Sequence, residues 1–293
     1  MAEVAHSAMS EQLLVVIDPV ARRSDGESVR IAKDVLGAGA SMKLCLPDGP
    51  EEFARALRRR GARRPVVVGD DRALIRAVSL LHRHRELAGC ALSVVPVGRA
   101  LSLAGSLGVP TGTVAAARAV LDGVERRMDL LVDDSDGVVL GALRIPPLSP
   151  SPGWTDEQAA PDRAGTPGRP WLRTCQSLVR GLVPATLPSR LAAAPEPGPS
   201  RLRVEVDGRT VVDLDQPVEA VSVSPAASGV ASVEVRPVSV GAEASPLLAE
   251  GRAVTVSGAH FRYRADAVVS GPVRTRTWVV REGAWGLTVP AGA

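Results

Sequence analysis

The residues best suited to chemistry lie in one short turn. Within "RRPVVVGDDRALIRAVSLL", residues 63–81, a run of valines ends at Gly69 and is followed by Asp70, Asp71 and Arg72. A turn between a buried strand and a helix presents free backbone N–H groups that bind phosphate, and glycine lets the backbone approach such an anion closely. Two interpretations of the aspartates stay open. They bind magnesium, or they place negative charge at the N-terminus of a helix.

A second turn follows the next apolar run, in "PVGRALSLAGSLGVP", residues 96–110. Pro96 and Gly98 shape this turn, and Arg99 adds a positive charge. If both turns face one pocket, Arg72 and Arg99 are the groups that would neutralise the charge of a phosphoryl group. His82 and His84 lie two residues apart, which on a helix does not place them on one face for a shared metal ion.

Alternating strands and helices must position these turns. Continuous Val/Leu/Ile runs separated by amphipathic segments are typical of a parallel sheet with helices on both faces, in which ligands bind at the carboxyl ends of the strands. The predicted strands are residues 13–18, 41–46, 65–70, 91–97, 128–134 and 137–145. The predicted helices are residues 27–36, 50–60, 73–84 and 114–123.

The composition changes twice after this α/β domain, which we assign to residues 11–145. Residues 146–200 are rich in Pro, Gly, Ala and Ser and are predicted to be a linker or insertion, with one short helix at 171–182. Residues 201–290 alternate with period two, and Asp207-Gly208 is a strong hairpin turn signal, so an antiparallel β-domain is predicted there.

Composition and charge indicate which partners and which cellular location to expect. A net charge of +3 on 293 residues does not indicate a nucleic-acid partner. The three cysteines have no zinc or disulfide spacing, so a reducing cytoplasm fits best. No secretory signal and no apolar run of about 18 residues is present, which leaves only peripheral contact with a membrane.

The order of the motifs resembles the diacylglycerol kinase catalytic-domain family, which includes sphingosine kinases and bacterial lipid kinases. The family's "NPxSG" turn is matched by "VVIDPVARRSDG" (15–26), its "GGDGT" by "GDDRA" (69–73), and its "PxGTGNDxAxxLGIP" by residues 96–110. A family helix ending in "GxxRxIDL" is matched by "AAARAVLDGVERRMDLL" (115–131). The resemblance covers most of residues 13–145.

The resemblance implies a nucleotide-binding domain of the phosphofructokinase and NAD-kinase kind, followed by a β-sandwich-like domain. Its activity would be transfer of the γ-phosphoryl group of ATP, with Mg²⁺, to a lipid hydroxyl. Asp71 would hold the metal and act in catalysis. The positions implied to bind the cofactor are Gly69, Asp70, Asp71, Arg72, Pro96, Gly98 and Arg99.

The sequence departs from the family at its chemical positions. Asp70 and Arg72 replace glycines, Ala73 replaces a threonine, and Val268 stands where the family has its catalytic base, although Asp266 of that turn is kept. Valine cannot accept a proton. The first hypothesis is therefore a non-catalytic pseudokinase that binds a lipid, a nucleotide-like ligand or a protein partner. The alternative is an active lipid kinase that uses Asp71 with Arg72 or Arg99.

A basic cluster lies at the end of the second predicted helix. Its members are Arg55, Arg58, Arg59, Arg60, Arg63 and Arg64. Such a cluster can face an anionic lipid or membrane surface, with about 1 kcal/mol per charge. A solvated helix end, where the macrodipole favours cations, explains it without a ligand and is the favoured interpretation.

Overall fold

Four parallel strands form the first sheet. In the computed structural model, which describes residues 12–147, 199–226, 228–238 and 245–292, these strands follow the order β2–β1–β3–β4. Their valine and leucine side chains are almost completely buried in β1, β3 and β4 because helices cover both faces. The strands are β1 (Leu13–Ile17), β2 (Met42–Cys45), β3 (Arg64–Gly69) and β4 (Ala91–Pro96).

Among the described residues, four helices connect these strands and two more follow β4, and two of the six were not predicted. The first unpredicted helix begins with Asp18 as N-cap and Pro19 at its first position, a pairing that starts helices because proline needs no hydrogen-bond acceptor there. The helices are α1 (Pro19–Ser24), α2 (Gly26–Gly39), α3 (Pro50–Arg58), α4 (Asp71–Arg83), α5 (Ser102–Ser106) and α6 (Thr113–Asp122). The second unpredicted helix is α5, which is only five residues long.

The C-terminal part is antiparallel, as predicted. Side chains in β8 and β11 alternate between buried and half-buried, which is the pattern of a sheet with one face on a core. Asp207 and Gly208 both have positive φ and form the β8–β9 turn, which confirms the predicted hairpin. The strands are β8 (Leu202–Val206), β9 (Arg209–Val212), β10 (Val218–Pro225), β11 (Ala231–Pro237), β12 (Leu247–Gly251), β13 (Ala253–Ala265) and β14 (Val268–Val289).

The strands at 128–134 and 137–145 were predicted in the parallel sheet, and that prediction is wrong. They correspond to β5 (Val124–Asp133), β6 (Val138–Val139) and β7 (Leu143–Ile145). β5 pairs antiparallel with β14, and β7 pairs antiparallel with β10 and β13. An apolar run does not encode the direction of its partner, so the sequence could not separate the two arrangements.

The long strand β14 joins the two sheets. Its N-terminal half pairs with β13, whereas Gly286 and Leu287 pair in parallel with Ala91 and Leu92 of β4. The mixed fold with a parallel sheet followed by a strand-rich part confirms the predicted fold class. The division into domains at 145 and 201 stays a prediction. Residues 148–198 of the predicted linker, with the helix at 171–182, lie outside the described residues. Within the described ranges, no helix is long and apolar enough to span a membrane.

Candidate functional site

The two candidate turns meet at the carboxyl edge of the parallel sheet. The N–H of Val97 donates to the carbonyl of Gly69 at 3.0 Å, and the N–H of Asp71 donates to the carbonyl of Ala100 at 2.9 Å. The β3–α4 turn and the β4–α5 turn are therefore hydrogen-bonded to each other. This arrangement is the one that the order of strands β1, β3 and β4 requires.

Asp70 is the N-cap of α4. One of its carboxylate oxygens, Oδ1, accepts the backbone N–H groups of Arg72 and Ala73, each at 3.1 Å. These are the free N–H groups at the start of a helix to which a phosphate would bind. A carboxylate of the protein itself thus occupies the anion position at the N-terminus of α4.

Asp71 caps the neighbouring helix α5 from outside that helix, whose own N-cap residue, Leu101, makes no side-chain cap. Its side chain is buried, and its two oxygens accept the backbone N–H groups of Leu103 at 3.0 Å and Ala104 at 3.1 Å. The hydroxyl of Ser102 lies 3.4 Å from Asp71 Oδ2. Both carboxylate oxygens are therefore engaged by α5, and the N-terminus of that helix also has its anion.

The two glycines of the turns are required by the side chains packed against them. A Cβ at Gly69 would lie 2.6 Å from Ala73 Cβ and 3.0 Å from Asp18 Cβ. Gly98 has a φ of +129°, which favours glycine, and a Cβ there would lie 3.2 Å from Asp70 Cβ. The close backbone approach at these glycines thus accommodates protein side chains.

Asp18 contributes a third carboxylate to this edge. It is 2% exposed, caps α1 through the N–H of Val20 at 2.9 Å, and accepts Arg76 Nη1 at 2.7 Å. Asp18 belongs to the stretch that matches the family's "NPxSG" turn, and no role was predicted for it. The Asp-Pro pair was the available signal for its capping function.

Asp266 links the β13–β14 turn to the loop before β7. Its Oδ2 accepts the N–H of Leu140 at 2.8 Å, and its Oδ1 accepts those of Gly141 at 2.8 Å and Ala142 at 3.0 Å. Its own N–H donates to the carbonyl of Ala142 at 2.9 Å. The aspartate of the predicted base turn is therefore held by three N–H groups, a contact that sequence reasoning missed.

The remaining predicted residues lie around this centre. Pro96 is buried at the end of β4, opposite Gly69 in the register, and it offers no group to a ligand. Arg72 is half-buried near Asp70, and Arg99 is exposed. Val268, at the predicted base position, begins β14 and is 48% exposed.

Burial shifts the pKa values of two carboxyl groups at this site. Burial raises the pKa of Asp70 above its ordinary value, assisted by the negative charge of Asp18 and opposed by the N–H bonds from Ala73 and Arg72. Burial also raises the pKa of Asp266, opposed by its three N–H bonds and assisted by the charge of Asp71. The site is thus acidic, and burial disfavours the charged form of these two carboxyl groups.

The raised pKa of Asp70 predicts a pH dependence of stability. The folded protein holds this proton more tightly than the unfolded chain does, so stability from Asp70 falls as pH rises from its ordinary pKa of 3.8 through the higher folded value. Asp70→Asn keeps one oxygen for both N–H groups and carries no charge. The stability of this variant minus that of the wild type should increase between about pH 4 and about pH 7, measured by urea denaturation. A difference that is the same at both pH values would contradict the assignment.

Existing hydrogen bonds at this site oppose the binding of a triphosphate with its metal ion. The N–H groups at the starts of α4 and α5 already have carboxylate acceptors, and Asp71 has no oxygen without an N–H partner. Across residues 12–147, 199–226, 228–238 and 245–292, no group of three or more His, Cys, Asp or Glu side chains is placed to hold a metal ion.

The basic cluster of residues 55–64 does not present one surface. Arg60 forms an ion pair with Glu86, and Arg64 Nη2 donates to the carbonyl of Val120 at 2.7 Å. Arg55 and Arg59 instead line a pocket between α3 and β2. The contact of the His82 ring is with an aspartate: His82 Nε2 lies 3.0 Å from Asp136 Oδ1.

Comparison with known proteins identifies the fold. No protein-family model and no curated protein matches this sequence. Three solved structures from Bacillus anthracis str. Sterne do match, each named as a diacylglycerol kinase, two of them provisionally. The first has 11% identity and a TM-score of 0.68 over 97% of this chain and 99% of its own.

The other two structures match this chain to a similar extent. One has 12% identity and a TM-score of 0.66 over 96% of this chain and 98% of its own. The other has 11% identity and a TM-score of 0.65 over 96% and 97%. At such identities the likeness shows the fold alone. It confirms the predicted resemblance to diacylglycerol kinases at that level.

Proposed function

We propose that this protein is a non-catalytic diacylglycerol kinase-like protein that binds a lipid or a protein partner. The observation that carries the proposal is the double capping at the site. Asp70 and Asp71 accept the backbone N–H groups at the starts of α4 and α5, where a kinase of this fold would bind phosphate. A phosphate group would have to displace both carboxylates to reach those donors.

Electrostatics support the same proposal. Asp18, Asp70 and Asp71 follow β1 and β3 at one edge of the sheet, and the negative charge of Asp71 contributes to the raised pKa of Asp266. At about 4 Å, two like charges repel by about 1 kcal/mol in water and about 4 kcal/mol at a partly buried site. A polyphosphate would meet this repulsion from several carboxylates at once.

The alternative function is an active ATP-dependent lipid kinase with a non-standard site. In that case Asp71 would hold Mg²⁺, and Arg72 or Arg99 would neutralise the γ-phosphate. A metal ion would compete with Leu103 and Ala104 for the oxygens of Asp71, and displacing them would leave two N–H groups without an acceptor. That cost places the alternative second.

The partner class that we propose is an anionic lipid or a membrane surface, bound peripherally from the cytoplasm. The chain keeps the scaffold of a lipid-kinase fold, while its phosphate positions are filled by its own side chains. A lipid-binding role needs the scaffold and does not need phosphoryl transfer. The oligomeric state enters no step of this proposal.

The melting temperature with ATP and Mg²⁺ separates the two functions. A ligand at 100 times its dissociation constant stabilises a fold by about 2.7 kcal/mol. We expect no change of melting temperature at millimolar ATP and no phosphorylation of diacylglycerol. A shift that Asp71→Ala abolishes, together with phosphate transfer to diacylglycerol, would establish the kinase instead.

A further inference from the structure

A pocket outside the candidate site lies between α3 and β2. Its volume is about 270 Å³, near the lower end of ligand pockets, which span about 300–1,000 Å³. It shares no residue with the capped turns. Its lining is formed by Leu14, Lys43, Cys45, Leu46, Pro47, Glu52, Arg55, Ala56 and Arg59.

Cationic groups reach this pocket from two different elements. Lys43 comes from β2, and Arg55 and Arg59 come from one face of α3 and the residue after its end. The macrodipole alone would favour cations at the end of α3, but it does not explain the lysine on the strand opposite. The pocket is therefore a convergent basic site.

The single carboxylate of the pocket is already engaged. Glu52 Oε2 accepts the backbone N–H of Asp48 at 3.0 Å, in the loop after β2. Three positive side chains and one negative side chain leave an excess of two positive charges. A phosphate monoester carries about −1.5 to −2 at neutral pH, which matches this excess, and the arginine guanidinium binds phosphate through paired N–H groups.

Apolar side chains line the rest of the pocket wall. They include Leu14, Cys45 and Pro47, and Leu46 of the lining is exposed. A bare phosphate ion would leave this wall in contact with water. An ester whose organic part is small and apolar would cover the wall and place its phosphate among the cations.

We propose that the α3–β2 pocket binds a phosphate monoester with a small apolar group, in a site separate from the capped turns. The inference does not depend on whether the protein is a kinase, because the pocket shares no residue with the candidate site. A soluble ester and a lipid headgroup both supply this chemistry. The experiment distinguishes the two sources.

Alkylation of Cys45 gives a local signal for occupancy. Cys45 is a free, half-buried thiol in the pocket, while Cys90 is a buried thiol elsewhere and serves as an internal reference. Iodoacetamide labelling of each cysteine is followed by mass spectrometry of its peptide. The probes are n-butyl phosphate, inorganic phosphate, n-butanol, and phosphatidylcholine vesicles with and without phosphatidic acid.

We expect n-butyl phosphate, phosphatidic acid vesicles or both to slow the labelling of Cys45 and to leave Cys90 unchanged. The probe that protects identifies the source. n-Butanol should not protect, and inorganic phosphate should protect less than the ester does. Failure of both phosphate esters, or equal protection by inorganic phosphate, would overturn the proposal.

Two charge reversals on α3 provide the matched comparison. Arg55→Glu removes a cation that lines the pocket, and Arg58→Glu makes the same charge change on an exposed residue outside it. Loss of one charge-assisted contact should weaken ester binding about tenfold in Arg55→Glu. Arg58→Glu should bind like the wild type. Equal weakening in both variants would show nonspecific attraction and would overturn the site.

Discussion

Asp71→Ala is expected to lower the free energy of unfolding by about 3 kcal/mol, since each buried N–H left without an acceptor costs about 1–3 kcal/mol. The two groups concerned are the N–H groups of Leu103 and Ala104 at the start of α5. Urea denaturation at neutral pH measures this change through the transition midpoint. If Asp71 served only to bind a metal, its substitution would cost little stability in the absence of the metal.

Two further variants control this prediction. Asp215→Ala removes an exposed aspartate and should change stability by no more than about 0.5 kcal/mol. Asp71→Asn keeps one acceptor oxygen of the two, so its loss should lie between those of the other variants. Should Asp71→Ala be as stable as Asp215→Ala, Asp71 would not be a structural cap.

Asp266→Ala is expected to have an effect at least as large, about 3–4 kcal/mol, because three N–H groups lose their acceptor. They belong to Leu140, Gly141 and Ala142, in the loop between β6 and β7. Hydrogen exchange should accelerate at these amides more than in β1. The same urea experiment gives the stability.

Asp266→Asn distinguishes the hydrogen bonds from the charge. Oδ1 accepts from Gly141 and Ala142, so an asparagine oxygen in that position keeps two of the three bonds. The stability of Asp266→Asn should therefore lie closer to that of the wild type than the stability of Asp266→Ala does. Wild-type exchange rates at the loop amides of Asp266→Ala would exclude the link between this turn and the loop.

Local signals were sufficient to predict most elements of the fold. The period of apolar residues gave β1, β3 and β4 and the helices after them, because side-chain spacing directly reflects which face is buried. The short helices α1 and α5 were missed since neither is long enough to show a period. The predicted direction of β5 relative to its neighbour was wrong because its partner, β14, lies more than a hundred residues away.

The candidate site was predicted in its position and only partly in its contacts. Asp70 was expected either to bind magnesium or to lie at a helix N-terminus, and the structure places it as the N-cap of α4. Asp71 caps α5, a helix that the sequence did not reveal, so its partners could not be predicted. The link from Asp266 to Leu140 spans 126 residues and has no local sequence signal.

Inorganic pyrophosphate should not bind at the N-terminus of α4 in the wild type, because the carboxylate of Asp70 occupies the anion position there. Asp70→Gly frees the N–H groups of Arg72 and Ala73, which then form an ordinary helix N-terminal anion site. Melting temperature is measured for the wild type and for Asp70→Gly at increasing pyrophosphate. We expect the melting temperature to rise for Asp70→Gly and to stay unchanged for the wild type. An equal rise in the wild type would show that Asp70 does not block this position.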